Sequence, residues 1–411
     1  MPFTRTRAAS PQVLMVMPAD PWSEWTMSGI SRALCLELQQ RGALWGAVDP
    51  NNLHRGSLQG PSPLAPIHRL VRKLKDKLGV PKPKRWAEES EGNMGAFLRA
   101  CPSKTNVVYA FHSPEVDATL DVRRFRFMDL SLVDAFKFGS YGYAEMPKES
   151  YDSLYQNQYR TIHAATGILT LSSYAADSIA RDFKYDRSNI YPIGAGAAVS
   201  FSKPPSLATE RYKKGEVLFV GRDWLRKGGP LLLEAFAIVK QAVPHATLTI
   251  VGPDINPAPS QAGINFVGFL AKDDEAQRER LQSLFLESSV FCMPSVCETW
   301  GLVYSEAAMA GLPIAGFREW ALPDVVEDGR SGLLSDQRSP EALAESLIRL
   351  LSDPAMAASF GREGIRYVSE VLNWSAVADR LLYAVSEDRS ALAQPAWLAG
   401  DLERVNAPRD R

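Results

Sequence analysis

Residues 290–317 read VFCMPSVCETWGLVYSEAAMAGLPIAGF, and their pattern indicates the fold class. A short apolar run ends at Pro294, and a polar loop follows it. A helical pattern begins at Gly301 and ends at Gly311, and Pro313 opens the next apolar run. Apolar runs without polar alternation are typical of strands that are buried on both faces of a sheet. The stretch therefore predicts two parallel strands joined by a helix, the repeating unit of α/β proteins.

The same alternation of strands and helices runs through almost the whole chain. The strands predicted in the first half are residues 13–17, 44–48, 106–111, 131–136, 167–171 and 189–193. The strands predicted in the second half are residues 216–220, 247–251, 265–268, 290–294, 313–316 and 332–334. Helices are predicted between them at residues 30–40, 173–182, 231–241, 274–286 and 340–351. We therefore expect parallel sheets with helices on both faces.

A polar segment with two prolines, residues 201–214, interrupts this alternation and has six predicted strands on either side. Such a composition is typical of the connection between two domains. We therefore predict two doubly wound domains, residues 1–203 and 204–372. Residues 373–411 contain a last helical pattern that leads to no further strand, and their polar end is expected to fray.

Composition excludes several classes of protein. The 411 residues carry 46 basic and 47 acidic side chains, a net charge of −1, whereas domains that bind nucleic acid are usually strongly basic. No apolar run reaches the roughly 18 residues that span a bilayer. The basic N-terminal residues lead into no long apolar segment, so no secretory signal is expected. We therefore expect a cytoplasmic protein that has no nucleic-acid partner.

The four cysteines are too few for a disulfide framework in a chain of this length. Cys292 and Cys297 are close in sequence, but no histidine lies near them. A zinc site needs four converging ligands, and the five scattered histidines do not supply them. Reduced thiols and the absence of a metal site are the expectation.

Residues 67–78, IHRLVRKLKDKL, place five apolar side chains on one helical face and basic side chains on the other. Three more basic residues, Lys82, Lys84 and Arg85, follow. An amphipathic basic helix can lie on an anionic membrane surface. A solvated helix that packs on the domain has the same pattern. Both interpretations stay open: peripheral contact of residues 67–85 with the inner face of the membrane, or a surface helix.

Two glutamates flank the predicted helix in the first-quoted stretch, Glu298 before its start and Glu306 inside it. The amides of Gly301, Leu302 and Val303 precede the first helical hydrogen bonds, so they are free donors at the positive end of the helix dipole. A phosphate on these amides would lie between two carboxylates that accept hydrogen bonds from hydroxyls. A phosphate joined to a polyol describes a sugar nucleotide. The alternative is one helix-dipole partner and one surface glutamate.

Two cations, Arg222 and Lys227, lie in VLFVGRDWLRKGG, residues 217–229. The planar fork of arginine and the point charge of lysine suit a diphosphate, although a solvated basic loop has the same composition. Near the N-terminus, Gly29 opens the helix that follows the first strand. There a phosphate can lie on free amides, or the chain simply turns.

Taken together, these motifs resemble the retaining group 1 glycosyltransferases, glycosyltransferase family 4. The two glutamates are spaced as E-x7-E in ETWGLVYSEAAMAGLPI, and VGRDWLRKGG, TIVG and FVGFL precede them in the family's order. The N-terminal half resembles the family loosely, through Gly29, ILTLSSYAADSI and IYPIGAGA. The resemblance implies the GT-B fold: two Rossmann-like domains that face each other across a cleft. The first domain would bind the acceptor, the second the nucleotide sugar, and a final helix would cross back to the first.

The resemblance also assigns roles to residues. Glu306 would bind the ribose hydroxyls, and Glu298 would contact hydroxyls of the transferred sugar. Arg222 and Lys227 would neutralise the diphosphate, and Leu270 would lie near the nucleobase. The remaining diphosphate contacts would come from Gly301, Leu302, Val303 and, across the cleft, Gly29.

One position departs from the family's pattern. Many members place an active-site histidine after a strand in the middle of the N-terminal domain. The corresponding stretch here reads DLSLVDAFKFGSYGY, and Asp134 is the nearest candidate to line the sugar site. His112, which ends an earlier predicted strand, is the second candidate.

The function implied by the resemblance is a metal-independent hexosyltransferase of polysaccharide biosynthesis. It would move a hexose from a nucleoside diphosphate sugar to a hydroxyl of a glycan, a lipid-linked acceptor or a small molecule, with retention of configuration. No cofactor is expected beyond this donor substrate. Two alternatives stay open: another GT-B enzyme of sugar nucleotides, such as a 2-epimerase, and a sugar-nucleotide-binding protein without catalysis.

Overall fold

The structure, a computed structural model, describes residues 11–23, 26–49, 98, 101, 105–110, 122–139, 146–197, 201–257, 261–390 and 392–401. The predicted basic helix and His112 lie outside these residues. The chain forms two compact units. The first comprises Met1–Thr170, Ala176–Ile193 and Val377–Pro395, and the second comprises Leu171–Ala175, Gly194–Ala376 and Ala396–Arg411. The boundaries predicted at residues 203 and 372 stay predictions.

The first unit contains a parallel six-stranded sheet in the order β2-β1-β3-β4-β5-β6. Its strands are β1 Val13–Val16, β2 Leu44–Val48, β3 Asn106–Ala110, β4 Arg123–Met128, β5 Gly167–Thr170 and β6 Ile190–Pro192. The helices that accompany them are α1 Ile30–Gln40, α2 Leu132–Lys137, α3 Lys148–His163, α4 Ser173–Phe183 and, after the second unit, α12 Trp374–Val385. The four residues of β1 and the five of β3 are all buried, as expected for strands covered on both faces.

The second unit contains another parallel six-stranded sheet, in the order β12-β11-β10-β7-β8-β9. Its strands are β7 Glu216–Val220, β8 Thr247–Val251, β9 Ile264–Gly268, β10 Val290–Cys292, β11 Ile314–Phe317 and β12 Gly332–Ser335. Its helices are α5 Thr209–Tyr212, α6 Gly229–Ala242, α7 Glu275–Glu287, α8 Leu302–Met309, α9 Leu322–Val325, α10 Pro340–Ser352 and α11 Pro354–Glu370.

The strand order of the second sheet indicates where a ligand would bind. This place is the ligand edge, the edge formed by the carboxyl ends of the strands. The chain moves outward from β7 to β9, and β10 then pairs with the other side of β7. Strand order therefore reverses between β7 and β10. In doubly wound sheets the crevice at such a reversal, beyond the carboxyl ends of the strands, is where ligands bind. The loops that follow β7 and β10 carry the predicted cations and Glu298.

One predicted strand is wrong. Residues 131–136 are not a strand, because Leu132–Lys137 form α2, and the fourth strand is Arg123–Met128. The Ser131 side chain accepts a hydrogen bond from the Asp134 amide at 3.1 Å, a cap that starts the helix. The apolar run at residues 131–136 is too short for its periodicity to distinguish a strand from a helix.

Cys35, Cys292 and Cys297 are buried, and Cys101 is half-buried. Burial raises the pKa of the Cys35 thiol to about 12 and that of Cys101 to about 11. Both groups therefore stay protonated near neutral pH. Among the described residues, no helix has the length and apolar character needed to cross a membrane.

Arg211, at the end of α5, ties several parts of the second unit together. Its buried guanidinium donates to four carbonyl oxygens, those of Ser206, Phe285, Ser288 and Ala310, at 2.6–3.1 Å. Phe285 and Ser288 lie at the end of α7, and Ala310 caps α8. The side chain is buried, and this burial lowers the pKa of Arg211. One cation therefore satisfies carbonyls at the carboxyl ends of two helices, just before β10 and β11 begin.

Replacing Arg211 with Met should leave these carbonyls buried without a partner. We expect Arg211→Met to lower the free energy of unfolding by about 3–5 kcal/mol, measured by urea denaturation. The exposed neighbour Lys213 is the control, and Lys213→Met should change stability by less than about 0.5 kcal/mol. Equal stabilities of the two variants would show that Arg211 does not hold the helix ends.

Candidate functional site

The loop after β7 lies directly against the end of β10. The Val296 amide donates to the Arg226 carbonyl at 2.8 Å, and the Arg226 guanidinium donates back to the Cys297 carbonyl at 3.3 Å. Gly228 has φ +74°, and a Cβ there would lie 1.9 Å from the Pro294 oxygen. Only glycine permits both this backbone conformation and this approach. The two loops therefore form one surface at the reversal point of the sheet.

Lys227 and Glu298 meet within this surface. The Lys227 ammonium contacts the Glu298 carboxylate, and the two side chains are 13% and 9% exposed. The Ser295 hydroxyl donates to the same carboxylate oxygen at 3.3 Å. Two opposite charges that are largely removed from water require such pairing. The structure thus brings together one predicted cation and one predicted carboxylate.

Glu306, one turn inside α8, forms a second pair of the same kind. Its carboxylate oxygen Oε1 lies 2.5 Å from the Lys272 ammonium. Glu306 is 2% exposed, whereas Lys272 is 55% exposed. The Glu306 carboxylate is therefore buried, whereas the Lys272 side chain that neutralises it extends from the protein surface.

The start of α8 lies between the two glutamates. Gly301 has φ 74° and ψ 74°, and a Cβ at this position would lie 2.7 Å from the Tyr304 ring. The Tyr304 amide donates to the Gly301 carbonyl at 2.9 Å. Within the described part of the chain, the amides of Gly301, Leu302 and Val303 have no acceptor. Three donors at the positive end of a helix dipole favour an anion.

Tyr304 fixes α8 to the end of β10. Its hydroxyl donates to the Met293 carbonyl at 2.5 Å. Burial, together with the charge of Glu298, raises the pKa of Tyr304 well above its ordinary value. The phenol therefore remains a neutral donor at physiological pH, and the helix start keeps its place beside Glu298.

Three other predicted site residues are not part of these lysine–glutamate pairs. Arg222 is 69% exposed, lies 3.6 Å from the Asp254 carboxylate and stacks over the Phe269 ring at 5.0 Å. Leu270 is half-buried beyond the end of β9. Gly29 belongs to the first unit, where it caps α1 with φ 86°.

Asp134 follows strand β4 and lies in the first turn of α2. Its carboxylate is buried and pairs with the Arg181 guanidinium at 3.1 Å. The role of Asp134 at the sugar site stays a prediction. The alternative, His112, lies outside the described residues.

Sequence reasoning missed three polar residues of this region: Lys272, Ser295 and Arg338. Arg338 donates to the carbonyls of Pro294 and Ser295 at 3.2 and 2.6 Å and pairs with Glu319 at 2.6 Å, so it supports the loop that carries Glu298. No local signal marks these residues, because each acquires its partner through the tertiary fold. Among the described residues, no three His, Cys, Asp or Glu side chains converge as metal ligands would.

A separate pocket of about 490 Å³ lies in the first unit. Its two arginines are engaged with the end of α12: Arg123 donates to the Val385 carbonyl at 2.5 Å, and Arg389 donates to Tyr383 and Ala384 carbonyls at 3.1 and 3.3 Å. Cations at a helix C-terminus stabilise it. We therefore assign these arginines to anchoring the helix rather than to a ligand.

The close approach at Gly228 can be tested against a matched glycine. Gly228→Ala and Gly329→Ala both place alanine at positive φ, which costs about 1–2 kcal/mol. Only position 228 adds a collision, because a Cβ at Gly329 meets no described atom within 4 Å. We expect Gly228→Ala to be less stable than Gly329→Ala by a further ~1–3 kcal/mol in urea denaturation. Equal losses would mean that the two loops are not packed as described.

Solved structures with similar folds extend over nearly the whole chain. Sucrose-phosphate synthase from Thermosynechococcus elongatus has a TM-score of 0.60 at 18% identity, covering 91% of this chain and 100% of that one. HepE from Anabaena, solved in complex with UDP, has a TM-score of 0.57 at 13% identity, covering 92% and 100%. WaaG, a glycosyltransferase involved in lipopolysaccharide biosynthesis, has a TM-score of 0.54 at 16% identity, with the same coverage. Together with the two parallel sheets, these likenesses confirm the predicted GT-B fold class.

Curated relatives match a smaller part of the chain. D-inositol 3-phosphate glycosyltransferase of Streptomyces avermitilis is 28% identical over 54% of this chain and 52% of its own length. Phosphatidyl-myo-inositol mannosyltransferase of Mycobacterium leprae is 32% identical over 44% and 49%. A GDP-mannose-dependent phosphatidylinositol monomannoside mannosyltransferase of Mycobacterium tuberculosis is 27% identical over 56% and 65%. The chain thus spans about half the length of most of the curated relatives it matches.

The family model described as "Glycosyl transferases group 1" matches residues 214–353. This segment contains β7 to β12, both lysine–glutamate pairs and the start of α8. This match confirms the resemblance to the group 1 glycosyltransferases that the sequence motifs indicated. Residues 214–353, which include the ligand edge of the second unit, are therefore similar to the group 1 glycosyltransferases.

Proposed function

We propose that this protein is a retaining glycosyltransferase of family 4, which moves a hexose from a nucleoside diphosphate sugar to an acceptor hydroxyl. The observation that carries the proposal is the arrangement around the start of α8. Two buried carboxylates, each paired with a lysine, lie on either side of three free amides. An anion flanked by groups that bind hydroxyls is the chemistry of a sugar nucleotide.

The diphosphate would bind to the amides of Gly301, Leu302 and Val303. Lys227 lies within reach, because its ammonium contacts Glu298 just before these residues. A diphosphate would compete with Glu298 for this ammonium and would release the carboxylate toward sugar hydroxyls. Arg222, which is exposed and only loosely paired with Asp254, can turn toward the same charge.

The two glutamates would divide the polyol between them. Glu298, beside Lys227, would accept hydrogen bonds from the transferred sugar. Glu306 lies on the Lys272 side of the helix start and would accept them from the ribose. Leu270, beyond the end of β9, would border the nucleobase. The roles predicted for Gly29 and Asp134, which both belong to the first unit, stay predictions.

Cleavage of the anomeric C–O bond builds negative charge on the departing diphosphate and positive charge on the sugar. Fixed cations and oriented amides stabilise the departing charge without reorganisation, and we propose that they act here without a metal. Retention would follow if the departing phosphate assists attack by the acceptor hydroxyl on the same face of the sugar.

The names of the relatives are consistent with this donor class. One is GDP-mannose-dependent, and HepE was solved with UDP. Their named activities involve inositol phosphate, phosphatidylinositol and lipopolysaccharide, so a polyol, lipid-linked or glycan acceptor is proposed here, in polysaccharide or glycolipid synthesis. Contact of residues 67–85 with anionic membranes stays a prediction, which co-sedimentation with anionic and neutral vesicles tests.

The two glutamates should respond differently to substitution. Glu306→Gln should weaken binding of the correct bare nucleoside diphosphate roughly 10- to 150-fold, because it removes charged hydrogen bonds to the ribose. Glu298→Gln should leave that affinity unchanged or raise it, since Lys227 is then free to bind the diphosphate. The same variant should depress turnover, because its contact is with the reacting sugar.

Isothermal calorimetry with UDP, GDP and ADP on the two variants measures these affinities, and thermal unfolding shows whether each variant is folded. If Glu298→Gln weakens the bare nucleotide as much as Glu306→Gln does, the division of roles is wrong. If the unaltered protein binds none of the three nucleotides, the donor class itself is wrong.

Metal independence has its own test. If side-chain cations and helix amides hold the diphosphate, transfer or donor hydrolysis should continue at an unchanged rate in excess EDTA. Loss of activity that Mg²⁺ or Mn²⁺ restores would contradict this part of the proposal.

A further inference from the structure

Lys272 holds the most deeply buried carboxylate of the ligand edge, and none of the family motifs contains it. Its ammonium lies 2.5 Å from Glu306 Oε1. Among the described residues, no other side chain hydrogen-bonds to this carboxylate. The long, exposed Lys272 side chain loses conformational entropy by reaching inward, so the contact must offset that loss.

The backbone of Lys272 is fixed by the beginning of α7. The Ala271 amide donates to Gln277 Oε1 at 2.9 Å, and the Arg278 guanidinium donates to the Lys272 carbonyl at 3.2 Å. Asp274 caps the same helix through the Gln277 amide at 2.9 Å. The turn that carries Lys272 is therefore anchored on both sides, and only the side chain is free to adjust.

The Lys272–Glu306 pair has unused hydrogen-bond donors and acceptors, and their pattern is complementary to that of a hydroxyl. Glu306 uses Oε1 for Lys272, and within the described residues its Oε2 has no donor. The Lys272 ammonium has three N–H donors, of which this contact uses one. A hydroxyl donates one hydrogen bond and can accept two. A group that donates a hydrogen bond to Glu306 and accepts one from Lys272 satisfies both side chains at once. Two adjacent hydroxyls do so best.

We propose that Lys272 and Glu306 together form a clamp for the two ribose hydroxyls of the nucleotide, with Lys272 as a direct donor to the ribose. This rests on the proposed function, in which Glu306 faces the ribose. Lys272 is then a specificity-determining residue, because it distinguishes ribonucleotides from nucleotides that lack these hydroxyls. A lysine that only neutralised Glu306 would not make that distinction.

A cycle of protein and ligand changes tests the clamp. Calorimetry compares a nucleoside diphosphate with its 2′,3′-dideoxy analogue, for the unaltered protein and for Lys272→Met. The unaltered protein should prefer the ribonucleotide by about 100-fold, because charged hydrogen bonds are lost on both hydroxyls. In Lys272→Met the preference should fall by about tenfold, since one donor to the ribose is already missing.

Two further variants make the cycle specific. Lys272→Arg retains a cation and its donors, so it should retain most of the preference. Lys213→Met removes an exposed lysine of the same unit that pairs with Glu210, and it should retain all of the preference. Thermal unfolding of each variant shows that the comparison is made on folded protein.

An undiminished preference in Lys272→Met, with both ligands weakened equally, would overturn the clamp and leave Lys272 as a counter-charge only. Equal binding of the two ligands by the unaltered protein would overturn it as well. If the unaltered protein binds neither UDP, GDP nor ADP, the proposed function fails first, and this outcome differs from the other two.

Discussion

The contact between the Lys227 ammonium and the Glu298 carboxylate joins two loops that are 71 residues apart in the chain. Both groups are largely removed from water, and removing one partner from such a pair typically costs about 3–5 kcal/mol. The pairing is possible only because Gly228 lets the loop after β7 approach the Pro294 carbonyl. The start of α8, with its free amides, is held beside the pair by Tyr304. The geometry of the ligand edge therefore depends on how this buried carboxylate is neutralised.

Much of the fold could be predicted from the sequence, and the exceptions have physical causes. The predicted bounds of β7 and β8 coincide with the observed ones, because apolar runs buried on both faces carry a clear signal. Strand β4, RRFRFM, was missed because it is rich in arginine. The Arg126 side chain is buried over the Tyr109 ring at 5.8 Å, a tertiary partner that local sequence does not reveal. Helix α3 was also missed, although tyrosines four residues apart mark one of its faces.

The residues of the candidate site also divide into those that the sequence predicts and those that it does not. Lys227, Glu298 and Glu306 lie in loops and a helix whose motif spacing is visible in the sequence, and the fold brings them to one edge of one sheet. Lys272 could not be found, because its importance comes from a partner 34 residues away. The role predicted for Asp134 came from the family's pattern and stays a prediction, and the structure pairs its carboxylate with Arg181.

Both carboxylates of the site contact lysines, and in the proposed function a nucleotide takes part in these contacts. The most direct measurement is a crystal structure of the protein with the nucleoside diphosphate that binds best. The account predicts the diphosphate on the amides at the start of α8 with Lys227 against it, and the ribose between Glu306 and Lys272. A nucleotide bound elsewhere, or bound here with both lysine–glutamate pairs unchanged and no contact to either lysine, would contradict it.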